Sequence, residues 1–256
     1  MTIEPYYDDG QVVIYHADCR DVLPMLGSES IDMVFTDPPY GHNNNNGDLI
    51  SQRENALGLT TDEPETRPIA NDDFETANEL FRWTASEYAR LLAPGGCCCC
   101  CCGGGGPDPQ FARWSLWLDE VLGFKQMVVW DKGPMGMGWH YRRSYEAVLV
   151  AQKSGATCKW YDRTRRVENI IRPDQGIRKI IPQKWQHPTE KPTSLARFFM
   201  ELHTRPGELV LDPFAGTGST LIAAKQIGRK SIGVEIEKRW VDIAVRRLEK
   251  VQQYFV

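Results

Sequence analysis

The chain has 256 residues, 41% of them hydrophobic, and its 30 Lys and Arg against 34 Asp and Glu leave a formal net charge of −4. That length suits one α/β domain with insertions and a sizeable core, and the negative balance excludes a globally basic nucleic-acid binder, so any such role must rest on local patches. There is no apolar run of about 20 residues and no basic leader ahead of an apolar stretch, so a cytoplasmic protein without a membrane span is expected.

Gln11 to His16 reads as a short strand followed by Asp18, whose side chain is placed to cap the helical turn or two predicted over Asp21–Leu26. Ile31–Phe35 is the next strand, and it runs into Val34–Tyr40, VFTDPPY. Pro38 and Pro39 lack N–H groups and have a fixed φ, so the chain leaves the sheet as a stiff elbow at a strand's carboxyl edge, where ligands bind in open α/β sheets. Asp37 and the Pro38 carbonyl are acceptors and Tyr40 is a flat face. Together they suit a planar group bearing an amine; the plainer reading is a strand exit with a turn-forming Pro-Pro.

The stretch 41–73 is polar and long, and it follows the elbow directly. A loop of this length is either functional, as a lid or contact loop, or simply disordered. Phe74–Leu92 has helical spacing and is stopped by Pro94-Gly95. Cys97 to Cys102 are six consecutive cysteines between Pro94-Gly95-Gly96 and Gly103–Gly106. Free cysteine behaves as a small buried hydrophobe, and a continuous apolar run fits a central parallel strand buried on both faces, in a reducing compartment. Because a strand points successive side chains to opposite faces, six in a row do not converge on one metal. A cysteine-rich metal sensor is the competing reading, and it predicts stoichiometric zinc.

Gln110–Leu122 is a helix whose Trp114, Trp117, Leu118 and Val121 form a core-facing stripe. Gln126–Trp130 and Ala147–Gln152 are strands. The loop 131–145 between them holds Trp139, His140, Tyr141, Arg142 and Arg143, a combination suited to stacking and phosphate contact, or else packed under a long loop. Over 153–186, Lys153, Lys159, Arg163, Arg165, Arg166, Arg172, Arg178, Lys179 and Lys184 face only Asp162, Glu168 and Asp174, which is compatible with one basic surface or with a merely solvated loop. His187–Pro192, HPTEKP, opens a helix through Leu202. Leu209–Thr220, LVLDPFAGTGST, is a strand ending at Asp212, a turn with Gly216 and Gly218, and a helix from about Ser219. Glycine permits a tight turn and close ligand approach, and Glu235, ending the Ser231–Val234 strand, is placed for ribose hydroxyls. A helix over Lys238–Tyr254 closes the chain.

TDPPY followed much later by DPFAGTGS resembles the S-adenosylmethionine-dependent amino-methyltransferases of DNA, in the order called beta, over about Val12 to Glu249. The resemblance implies one catalytic domain over 1–256, with a doubly wound, mostly parallel seven-stranded sheet of the class I (Rossmann-like) methyltransferase type and an antiparallel edge strand. Within it, 41–73 is an insertion loop, 153–186 the candidate target-recognition segment and 187–256 the cofactor-binding part. It implies a catalytic elbow of Asp37, Pro38, Pro39 and Tyr40. S-adenosyl-L-methionine would be held by Asp18, Thr36, Asp37, Lys191, Pro192, Asp212, Pro213, Phe214, Ala215, Gly216, Thr217, Gly218, Ser219, Thr220 and Glu235. Double-stranded DNA is the implied partner, met by Trp139, Arg142, Arg143, Arg163, Arg165, Arg166 and Lys184, with the target base flipped out and no metal in the reaction. An acid at position 37 favours N6 of adenine over N4 of cytosine; an inactive DNA-binding relative is the other alternative. A homodimer and a cognate restriction endonuclease fit this family, and so does a solitary or phage enzyme.

Overall fold

The computed structural model describes residues 3–41, 70–103, 110–133, 141–142, 144–172 and 190–251. Among the described residues, nine strands form one sheet in the order β1-β2-β9-β8-β3-β4-β6-β5-β7. Seven carry the architecture: β2 (Val12–His16), β3 (Ile31–Thr36), β4 (Leu92–Gly103), β5 (Phe124–Asp131), β6 (Tyr145–Gln152), β8 (Leu209–Asp212) and β9 (Lys230–Glu235). Two strands of two residues each, β1 (Tyr7–Asp8) and β7 (Ile170–Ile171), extend the edges; neither is visible as a pattern in the sequence. β2, β9, β8, β3 and β4 run parallel, and β6 is antiparallel to both β4 and β5, which makes the antiparallel edge.

Helices cover both faces. On one, α1 (Cys19–Val22), α2 (Phe74–Leu91) and α3 (Gln110–Val121) pack over Cys98, Cys100 and Cys102 through Val22, Leu80, Phe81, Tyr88, Trp114 and Leu118. On the other, α4 (Thr193–His203) and α5 (Ser219–Gln226) pack over Cys97, Cys99 and Cys101 through Leu195, Phe199, Met200 and Ala224. α6 (Lys238–Leu248) lies beside α5 against β2. The cysteine run is therefore a strand buried on both faces, each thiol 0–1% exposed. Alternation explains how one run serves two cores, and each large apolar side chain buried against it contributes about 1.5–3 kcal/mol.

Several boundaries differ from expectation. β4 begins at Leu92, directly after α2, and Pro94-Gly95-Gly96 lies inside the strand as an irregularity: Ile31 pairs with Leu92, but Met33 pairs with Cys97. Gly95 makes this feasible with φ +80, and a Cβ there would lie 2.4 Å from the Thr157 carbonyl oxygen. In α3 the buried residues are Gln110, Trp114 and Leu118; Trp117 is half-buried, and Val121, in the last turn, is exposed. α6 stops at Leu248 rather than Tyr254, and its buried face uses Val241 beside Trp240, Ala244 and Leu248. Most of the 41–73 loop, all but Gly41 and Ala70–Asp73, lies outside the described residues, as do Trp139, Arg143 and Lys184.

Candidate active site

Because β3 and β8 are parallel neighbours, their carboxyl ends bring the TDPPY and DPFAGTGS motifs side by side. One cleft is lined by Asp18, Asp37, Pro38, Pro39, Tyr40, Lys191, Asp212, Pro213, Phe214, Ala215, Gly216, Thr217, Ser219, Thr220 and Glu235. Of the residues expected around a cofactor, Thr36, Pro192 and Gly218 stand behind this surface. Thr36 is fully buried and its hydroxyl donates to Asp212 Oδ1 at 2.9 Å. Pro192 is the N-cap residue of α4. Gly218 is the N-cap residue of α5, with φ +81, and a Cβ there would sit 2.9 Å from that of Ala244.

At the elbow, the Tyr40 hydroxyl donates to Asp37 Oδ1 at 2.7 Å and Lys191 Nζ donates to Oδ2 at 2.7 Å. Lys191 also lies 3.3 Å from Glu146 and 5.1 Å from the centre of the Tyr40 ring. Burial pushes the Asp37 carboxyl up, and Lys191 pulls it back towards the ionised form. Burial opposes the charge of Lys191, yet Asp37 and Glu146 together hold it protonated. The Tyr40 ring stands edge-on to Trp114, 6.2 Å between centres. The elbow is pinned from outside the motif: Gln110 Nε2 donates to the Tyr40 carbonyl at 2.5 Å, and Gly41 N donates to the buried Asp72 at 2.9 Å.

Across the cleft, Asp212 accepts from Thr36 and from Phe214 N, while burial raises its carboxyl to about 6. Glu235, ending β9, accepts from Gly216 N and Glu237 N, both at 2.8 Å, and burial lifts it to about 7. Its carboxylate thus clamps the Gly-rich turn while facing the cleft. Asp18 both lines the cleft and caps α1, accepting from Arg20 N at 2.8 Å and pairing with the Arg20 guanidinium at 2.6 Å.

Three contributors were not singled out from sequence. Glu146, at the start of β6, faces Lys191. Glu190, inside HPTEKP, pairs with Arg247 at 2.7 Å, and Arg247 also donates to the Thr217 carbonyl at 2.8 Å. Glu190 had a signal, its place in the motif beside Lys191; Glu146 and Arg247 had none, since only folding brings them near.

The basic residues are distributed less simply than their count suggests. Arg142 and Tyr141 lie just ahead of β6, on the side of the cleft, and Tyr141 is 90% exposed. Arg163 instead lines a hollow with Trp160, Tyr161 and Arg205 close to the start of β8, the pole opposite Asp37. Arg165 and Arg166 are exposed on the stretch that returns to β7. Lys153 pairs with Glu29, Lys159 with Asp32 and Glu208, and Arg172 with Asp131. Acids remote in sequence therefore offset part of the segment's charge.

Comparison with known proteins agrees with this arrangement. The profile of the family described as DNA methylase (N6_N4_Mtase) matches residues 31–246. The chain belongs to this DNA methylase family. It is 28% identical to the Type II methyltransferase M2.DpnII of Streptococcus pneumoniae, over 97% of this chain and 94% of that protein. It is 25% identical to the DNA adenine methyltransferase YhdJ of Escherichia coli K12, over 94% and 84%. In fold, it superposes on the putative DNA modification methylase TTHA0409 of Thermus thermophilus in complex with S-adenosyl-L-methionine with a TM-score of 0.65, at 24% identity over 94% and 95% of the two chains. It superposes on the cytosine-N4-specific PvuII DNA methyltransferase with 0.67, at 17% identity over 98% and 96%. The α/β methyltransferase-like fold and the membership of the N6/N4 class of DNA methyltransferases follow.

Proposed function

We propose that this DNA methyltransferase transfers a methyl group from S-adenosyl-L-methionine to the exocyclic N6 amine of adenine in a flipped-out base. The observation that carries the reading is the Asp37 carboxylate at the carboxyl edge of β3, flanked by Lys191 and facing the Gly216–Thr220 turn across one cleft. Asp37 as the first residue of the elbow, and the likeness to an adenine methyltransferase of E. coli, both favour adenine over cytosine. The likeness to a Type II methyltransferase supports a modification enzyme that acts at specific sites on double-stranded DNA.

The cleft suits the cofactor by its donor set. Glu235 and Asp18 offer carboxylates to ribose hydroxyls and to the adenine side, and the backbone N–H groups of Thr217 and Ser219 at the start of α5 suit the methionine end. S-adenosylmethionine supplies a methyl group already activated on a sulfonium. The chain's own residues deal with the nucleophile, an amine conjugated with its ring. Asp37 and the Pro38 carbonyl accept its two N–H bonds, which frees the lone pair for in-line attack. Lys191 and Tyr40 hold the carboxylate ionised and aimed, and a carboxylate retains further lone pairs for the substrate. Preorganised dipoles and positioning do most of the catalysis, and the proton leaves afterwards. A base in a duplex does not reach this elbow, so it is flipped.

The test is transfer of label from S-adenosylmethionine into unmethylated genomic DNA, with nucleoside analysis and an Asp37→Ala control. N6-methyladenine that disappears with Asp37→Ala is the expected result. N4-methylcytosine would overturn the base assignment, and no label in DNA with the cofactor bound would overturn the substrate.

A further inference from the structure

We propose that Cys97 and Cys99 of β4, with His203 at the end of α4, form a structural site for a thiophilic divalent cation such as zinc. Six consecutive cysteines do not converge on one ion, but alternate ones share a face. Cys97 and Cys99 are such a pair, with Sγ atoms 3.6 Å apart. Two thiolates of a tetrahedral zinc site, each about 2.3 Å from the metal, stand about 3.8 Å apart. The two sulfurs and a His203 ring nitrogen all lie within 4.8 Å of one another, and all three residues are buried.

The histidine is oriented for the task. Its Nδ1 is 2.9 Å from the Lys159 carbonyl oxygen, the outer hydrogen bond that fixes the tautomer of metal-bound imidazoles. Nε2 is then the ring nitrogen left for the metal, next to the Cys97 and Cys99 sulfurs. On binding, the ion replaces the thiol protons, which pass to solvent.

The site lies on the opposite sheet face from α2 and α3 and away from the cleft. It would tie three pieces together: the central strand, the end of α4, and the 153–169 stretch that leads to β7. The three donors are buried and remote from the cleft, so the role of the site is structural rather than catalytic.

The experiment is metal analysis of untagged protein purified without chelator, before and after incubation with zinc, followed by exchange with cobalt(II). About one zinc per chain is expected, together with thiolate-to-cobalt charge-transfer bands and tetrahedral visible bands. Cys97→Ser and His203→Gln should each weaken binding by at least about tenfold. Cys98→Ser and Cys100→Ser, on the other face of the same strand, should retain the metal and serve as controls for folding. Wild-type protein without zinc and without cobalt charge transfer would overturn the site. So would equal loss of metal from Cys98→Ser and Cys97→Ser.

Discussion

In the proposed reaction Asp37 accepts best while ionised, and burial and Lys191 decide that. Burial alone pushes its carboxyl up, and the Lys191 ammonium at 2.7 Å opposes the push. Lys191→Met should therefore move the acidic limb of the pH–rate profile to higher pH and leave activity recoverable at alkaline pH. A profile unchanged in shape and merely scaled down would assign Lys191 a packing role. The same variant leaves Asp37 and Glu146 without their shared cation, and about 3–5 kcal/mol of stability should be lost in denaturant titration. Glu235 makes a second prediction. Its carboxyl is raised by burial to about 7, so the unliganded fold loses stability as pH rises from the ordinary glutamate range through about 7. If ribose hydroxyls donate to its ionised form, S-adenosylmethionine should bind about tenfold more tightly at pH of about 8 than at about 6. Calorimetric titration across that range checks this, and Glu235→Gln should flatten the dependence. Asp37 and Glu235 could be picked out from the chemistry of their motifs. Glu146 could not, because nothing local in Tyr145–Gln152 marks its first carboxylate as facing Lys191.

The elbow is held by elements as much as by its own prolines. Trp114 of α3 stacks on Phe81 of α2, with ring centres 4.0 Å apart, and meets Tyr40 edge-on. Its Nε1 donates to Asn78 at 3.0 Å, and Gln110, one turn earlier in α3, holds the Tyr40 carbonyl. Trp114→Ala should cost about 3–5 kcal/mol in thermal or chemical unfolding. It should also lower kcat while S-adenosylmethionine binding changes little, since the Gly216–Thr220 turn lies on the other wall of the cleft. Loss of both in proportion would mean that the two walls are not independent. The helical spacing of α2 and α3 was readable in advance, and so was the burial of Trp114. The β4 irregularity was not: Pro94-Gly95-Gly96 reads as a stop signal, yet the strand runs through it, with Gly95 and Gly96 held by backbone hydrogen bonds to Lys153 and Lys159, remote in sequence.

At the scale of the whole molecule, the sheet has two poles, and charge must be assigned to one or the other. Arg142 lies on the side of the cleft, whereas Arg163 sits by the start of β8 at the opposite end. Arg142→Ala should reduce DNA affinity and lower the salt slope of binding by about one, while Arg163→Ala should leave both nearly unchanged. Fluorescence anisotropy over a salt series measures this, and an equal effect of Arg163→Ala would place DNA across both poles. The motifs, their order, the two-faced burial of the cysteine strand and the acids at strand ends all follow from residue type and spacing, because backbone geometry and side-chain chemistry are local. Which remote groups meet is a different matter. Lys191 between Asp37 and Glu146, Arg247 on Glu190, and His203 beside Cys97 and Cys99 each join segments far apart in the chain. Those pairings arise from the order in which parallel strands line up and from the helix that covers each face, and spacing along the chain carries no record of either.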